Sequence, residues 1–166
     1  MGRQQHHFHG DARRFEVLAD YVAERYGNSV RCIADVAGGQ GMLARLLAKR
    51  NYETEVVDPR GWVMRGVRSR AEAFDAGMAD YYDLIIGLHP DEATRAVAAA
   101  AIVRPAIILP CCNFWSEERL GRDKLLEAIE QYYRDHGVRF ERVVFDFRGP
   151  KNIGLVSEPC PPVDDR

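Results

Sequence analysis

The chain is predicted to fold as an α/β protein, with a mostly parallel sheet, helices on both faces and an antiparallel pair at its end. Three observations predict it. Apolar strand-like runs alternate with helical runs through most of the 166 residues, the pattern of a parallel sheet wrapped by helices. A glycine cluster, Gly38-Gly39-Gln40-Gly41, joins one such strand to the next helix. Near the end, Val138 to Phe147 and Ile153 to Val156 read as two strands with only Gly149-Pro150-Lys151-Asn152 as the turn. No helix fits between them, so that pair should run antiparallel.

The elements follow in order. Asp11 is a candidate N-cap, Phe15, Leu18, Tyr21 and Val22 recur at helical spacing, and Gly27 can end the helix. Val30 to Val36 reads as a buried strand. The helix after the glycines carries Leu43, Leu46 and Leu47, with Lys49 and Arg50 in its last turn, where cations suit the helix dipole. Thr54 to Val57 is a second strand, Val67 to Arg70 a less marked third, and Asp83 to Leu88 a clear fourth. Asp91 can cap the alanine-rich helix that follows. Ala106 to Leu109 is a fifth strand, and Asp123 to His136 a helix with Leu125, Leu126, Ile129, Tyr132 and Tyr133 on one side. The fourth and fifth are continuous apolar runs, as strands buried on both faces should be.

This length suits one domain, placed at residues 1–157, with residues 1–10 flexible and 158–166 an irregular tail rich in Pro and Asp. The net charge of −2 gives no global field favouring nucleic acid. Cys32, Cys111, Cys112 and Cys160 form neither a disulfide framework nor a zinc knuckle. Reduced thiols and a cytoplasmic location are the expectation. No apolar run is long enough for a membrane span, and Met1 to Gly10 lacks the apolar core of a signal peptide. His6, His7 and His9 read as part of a mobile terminus.

The most informative stretch is Ile33-Ala34-Asp35-Val36-Ala37-Gly38-Gly39-Gln40-Gly41. Glycines let the backbone turn sharply and approach a ligand closely. The helix start beyond them offers free N–H groups. Glu55-Val56-Val57-Asp58 then places a carboxylate at the end of the next strand, 17 residues past Gly41. A carboxylate there can accept from both ribose hydroxyls of a nucleotide-like cofactor.

On these residues the sequence resembles the class I S-adenosylmethionine-dependent methyltransferases over nearly its whole length. The resemblance implies a Rossmann-like three-layer sandwich, S-adenosylmethionine as cofactor and methyl transfer as the activity. Asp35 to Gly41 looks like the first motif of that family, with Ala37 where the first glycine usually stands. By resemblance, Ala37, Gly38, Gly39 and Gly41 face the cofactor, Asp35 orders its methionine end and Asp58 holds the ribose. Ala71 and Glu72, in the segment Arg70 to Phe74, correspond to the part that touches adenine. Gly87 and Leu88, in the segment Asp83 to Pro90, correspond to the fourth-strand motif beside the methyl group. Gly39 to Ala44 also fits the dinucleotide pattern, but a single domain is expected, without a second one to carry a hydride acceptor.

Ligands of open α/β sheets sit beyond the carboxyl ends of the strands. The fourth and fifth strand ends offer His89, Pro90 and Asp91, then Cys111, Cys112, Asn113, Phe114 and Trp115. His89 is the candidate general base, because its ordinary pKa lies near neutrality; the other reading is that it orients a loop. Pro90 should hold His89 to extended dihedrals. Pro90, Cys111, Cys112, Asn113 and Phe114 are the candidate acceptor-binding residues. Asp91 reads as a helix cap rather than an acid catalyst, and the two thiols as packed groups rather than nucleophiles. No metal is expected, since a Cys-Cys-His set lacks a fourth ligand. Arg60, Arg65, Arg68 and Arg70 fit either RNA phosphates or a solvated face. The acceptor is therefore open between RNA and a small molecule, the latter enclosed by a possible homodimer. The competing reading is a non-catalytic or NAD-binding module of the same fold.

Overall fold

The computed structural model describes residues 10–162. Seven strands form one sheet: β1 (Cys32–Val36), β2 (Glu53–Val57), β3 (Ser69–Arg70), β4 (Leu84–Leu88), β5 (Ala106–Leu109), β6 (Arg139–Val144) and β7 (Ile153–Glu158). Among the described residues four helices flank it: α1 (Arg13–Tyr26), α2 (Met42–Ala48), α3 (Thr94–Ala100) and α4 (Arg122–Asp135). The strand order is β3-β2-β1-β4-β5-β7-β6. Strands β1 to β5 pair in parallel, and β7 runs antiparallel to both β5 and β6.

Alternation along the strands separates two cores. Ala34, Val36, Ile85, Ala106 and Ile108 point to one face and pack with Val97 and Ala98 of α3 and Leu126, Ile129 and Tyr133 of α4. Ile33, Leu84, Ile86, Ile107 and Leu109 point to the other and meet Leu18 and Val22 of α1 and Leu43 and Leu47 of α2. Fully burying a Leu or Ile side chain is worth about 1.5–3 kcal/mol, so these two faces hold the three layers together. No helix among the described residues is long and apolar enough to cross a membrane.

Several ends differ from expectation for identifiable reasons. The strand expected over Val138 to Phe147 stops at Val144. Phe145 and Phe147 turn inward to the α1 side of the core, and Asn152 Nδ2 donates to both of their carbonyls. Strand β7 continues through Glu158, where Ser157 Oγ donates to Ala106 O. The N-cap of α1 is Ala12, one residue past the expected Asp11; Asp11 instead accepts from Arg13 N at Oδ1 and from Arg148 N at Oδ2, tying the helix start to the β6–β7 turn. Asp91 does not cap α3. A short 3-10 turn, Asp91–Ala93, precedes the helix, and the Asp91 side chain points to Cys111. The expectations for residues 1–9, including His6, His7 and His9, lie outside the described residues.

The register places the site. Val36 pairs with Val57, Val57 with Arg70, and Leu88 with Leu109. The carboxyl ends of the parallel strands thus finish at one edge, and Ala37, Asp58, Ala71, His89 and Pro110 are the next residues beyond them.

Candidate cofactor site

A cavity of about 500 Å³ opens at this edge. Its walls come from Ala37 after β1, Val57 to Arg60 after β2, Ala73 and Phe74 after β3, and Pro90 to Ala93 after β4, with Phe114 from the loop after β5. Strand ends and the strand-end acid thus meet around one space; of the segment Asp35 to Gly41 only Ala37 is in its wall, with Asp35, Gly38, Gly39 and Gly41 set behind it.

The glycine loop is shaped by left-handed backbone. Ala37 (φ +54), Gly39 (+58) and Gly41 (+86) all lie there. For Ala37 that conformation costs about 1–2 kcal/mol, and its N–H is held by Val57 O at 2.9 Å. The three glycines do different jobs. A Cβ on Gly38 would stand 2.4 Å from Asp35 Oδ2, so this glycine makes room for the buried acid beneath it. A Cβ on Gly41 would meet Val67 Cγ1 at 2.7 Å, so this one seats α2 against the segment leading to β3. Gly39 donates its N–H to Asp58 Oδ2 at 3.0 Å, beside the cavity.

Asp58 is the polar centre of the wall. It is 2% exposed. Arg60 donates from its backbone N and from Nε to Oδ1, and from Nη2 to Oδ2 at 2.6 Å. Burial alone would push the carboxyl pKa up; the hydrogen bonds from Arg60 and Gly39 outweigh it and hold Asp58 below the usual carboxylate range. Asp35 is the opposite case. It is also 2% exposed, its Oδ2 has no hydrogen-bond partner among the described residues, and burial pushes its pKa up to about 7.

Other expected site residues lie elsewhere. Ala71 and Glu72 do not line the cavity; Glu72 pairs with Arg70 at 3.2 Å on the surface. The chain turns in two residues later, so Ala73 and Phe74 form that wall. Gly87 faces Pro90 and Val97, and Leu88 is buried on the α1 side, because successive strand residues point to opposite faces. Asn113 closes its own loop, donating to Ser116 O and Glu118 O and accepting from Trp115 N. Pro90 and Phe114 do reach the cavity. Cys111 and Cys112 stand next to it through Asp91, whose Oδ1 accepts the Cys111 thiol at 2.9 Å.

His89 is turned to another task. Its Nε2 lies 3.0 Å from Lys151 O in the β6–β7 turn, and it is not among the cavity residues. Its φ is +53, not extended. The β4–α3 turn overrides the local preference imposed by Pro90, with the His89 N–H donating to Leu109 O. The arginine segment is largely neutralised: Arg60 pairs with Asp58, Arg68 with Glu55, and Arg70 with Glu55 and Glu72. Arg60, read in the sequence as one of several cations, is the residue that the structure sets against Asp58 in the cavity wall. Its position two residues after the strand-end acid was the available signal.

No protein-family model and no curated protein matches the chain. Solved structures do. An O-methyltransferase family protein from Burkholderia thailandensis superposes with a TM-score of 0.55 at 17% identity, over 89% of this chain and 56% of that one. The chain thus spans little more than half of that protein. The S-adenosylmethionine-bound amino pentose methyltransferase CalS10 from Micromonospora echinaspora gives 0.61 at 13% identity, over 96% of this chain and 100% of the other. A Streptococcus thermophilus protein named as a hemolysin gives 0.60 at 14% identity, over 96% and 72%. The chain has the class I methyltransferase fold, and at these identities the likeness is one of fold.

Proposed function

We propose that the chain binds S-adenosylmethionine in this cavity and transfers its methyl group to an acceptor. The observation that carries the reading is the pairing of Asp58 with the glycine loop at the cavity wall. The Arg60 fork presents two N–H donors to the two Asp58 oxygens, the pattern that the two hydroxyls of a ribose would also present. Ala73 and Phe74 supply an apolar surface for adenine. Asp35, with one unpartnered oxygen under Gly38, is suited to order the loop toward the amino acid end.

When bound, the cofactor supplies a methyl group already activated on a sulfonium, so the chain's task is chiefly positioning. Asp58 would orient the ribose. Phe114, 43% exposed at the mouth, would meet the acceptor. RNA and a small molecule both remain acceptor classes, a homodimer would enclose the smaller one, and the cytosol is the proposed setting.

Calorimetry of the purified protein with S-adenosylhomocysteine and with NADH tests the cofactor. Binding of the first and not the second is expected. NADH binding alone would overturn the reading. Labelled S-adenosylmethionine incubated with RNA and with small-molecule extracts then identifies the fraction that gains label.

A further inference from the structure

Beside the cavity, three side chains converge that the cofactor reading does not use. Cys111 Sγ lies 2.9 Å from Asp91 Oδ1 and 3.6 Å from Cys112 Sγ. One ligand atom from each residue falls within 4.8 Å of the other two. All four described cysteines are free thiols. Asp91 and Cys112 are exposed and Cys111 partly so, which leaves the cluster open to solvent. Lys151 Nζ stands 3.9 Å from Cys112 Sγ.

We propose that Asp91, Cys111 and Cys112 form a binding site for a single zinc ion at the mouth of the cavity. Four arguments support it. The ligand types are right, since zinc takes thiolate and carboxylate together. The separation is right: bonds of about 2.3 Å in a tetrahedron place two sulfurs about 3.8 Å apart, and these two stand at 3.6 Å. The Cys111–Asp91 approach is shorter because a thiol proton bridges it, and losing that proton lets it open. The charge is also right. Two thiolates and a carboxylate around one dication leave a single negative charge, which the Lys151 ammonium faces.

The backbone supports the geometry too. Asp91 has a φ of +48, in the left-handed region where non-glycine residues are uncommon. That conformation turns its carboxylate across to the β5 end instead of over the N-terminus of α3. With three protein ligands the ion keeps an open position, as catalytic zinc sites do. Asp91 also lines the cavity, so a soft acceptor atom such as a thiolate is the ligand class for that position. Binding releases both thiol protons to the buffer.

The ion site and the cofactor site are tested separately. Reduced, metal-free protein is titrated with Co²⁺, then with Zn²⁺ to displace it, while S-adenosylhomocysteine binding is measured by calorimetry on the same preparation. The expected result is a thiolate-to-cobalt charge-transfer band saturating at one equivalent and bleached by zinc. Cys112→Ser, at an exposed position, and Cys111→Ser should abolish the band, and Asp91→Asn should weaken affinity at least about tenfold. A Cys32→Ser, Cys160→Ser protein should retain it. Absence of the band, its survival without Cys111 and Cys112, or unchanged affinity in Asp91→Asn would overturn the site. Histidine-only binding at the N-terminus gives no thiolate band and counts as absence. Circular dichroism of each variant distinguishes ligand loss from unfolding.

Discussion

Arg60 grips both carboxylate oxygens of Asp58, with Nε on Oδ1 at 3.0 Å and Nη2 on Oδ2 at 2.6 Å. The acid is buried, while the Arg60 side chain is half exposed. A ribose that hydrogen-bonds to Asp58 must therefore displace the guanidinium. Asp58→Ala should weaken S-adenosylhomocysteine binding by about 1.5–3 kcal/mol, the scale of hydrogen bonds to a charged group. Arg60→Ala should act in the other direction and strengthen binding severalfold, since the competitor is gone. Calorimetry on both variants checks the pair, and weaker binding in Arg60→Ala would show that the arginine assists the ligand instead of standing in for it.

Asp35 should make stability depend on pH in a defined window. Its pKa is raised from 3.8 to about 7, first by burial, with a smaller push from Asp58. A raised carboxyl pKa means the folded protein binds more protons than the unfolded chain between those values. Stability from this group is thus full below pH 3.8 and falls as pH rises to about 7. Asp35→Asn should remove that decline. Melting temperatures of both proteins from pH 4 to 8 measure it, and parallel curves would mean that Asp35 ionises normally.

Much of this arrangement was legible because it is written in local chemistry. The alternation of apolar runs fixes the parallel strands, and the short Gly149 to Asn152 turn fixes the antiparallel pair. Asp58 could be placed because it directly follows a strand. The rest depends on distant partners. Phe145 and Phe147 satisfy a strand pattern, yet the α1 core draws them out of the ladder. Asp91 has the sequence position of a helix cap, but its partner, Cys111, is 20 residues away. Ala71 and Glu72 lie two residues before the point where their segment turns inward, a shift that no spacing rule contains.

Gly41 should prove structural, unlike Gly39. In Gly41→Ala the new Cβ would lie 2.7 Å from Val67 Cγ1 and 3.1 Å from Val56 Cγ2, at a φ of +86. Overpacking of this kind costs about 1–3 kcal/mol. In Gly39→Ala the nearest atom is Arg60 Nη2 at 3.7 Å, leaving only the strain of its φ of +58, about 1–2 kcal/mol. Urea unfolding should rank Gly41→Ala as the less stable protein. Equal midpoints would show that Val67 moves aside without cost.

His89 should behave as a brace for the β6–β7 turn and not as a proton carrier. Its Nε2 lies 3.0 Å from Lys151 O. A carbonyl can only accept, so Nε2 carries the proton and cannot take another. Burial is the main reason that its pKa lies below 6.5, which keeps the ring neutral at neutral pH. A lowered pKa contributes stability above pH 6.5 that is lost as pH falls through the folded value. His89→Gln, which keeps an N–H donor, should remove that acid sensitivity. His89→Ala should lose about 0.5–1.5 kcal/mol of stability, the usual worth of one hydrogen bond, and speed amide exchange in residues 149–152. Affinity for S-adenosylhomocysteine should stay within about twofold in both variants, since the ring does not line the cavity; a twofold change is about 0.4 kcal/mol. A positioned general base contributes about 100-fold or more to turnover, so once an acceptor is known the two roles separate clearly. A hundredfold loss in His89→Ala with unchanged exchange in the turn would return the histidine to catalysis.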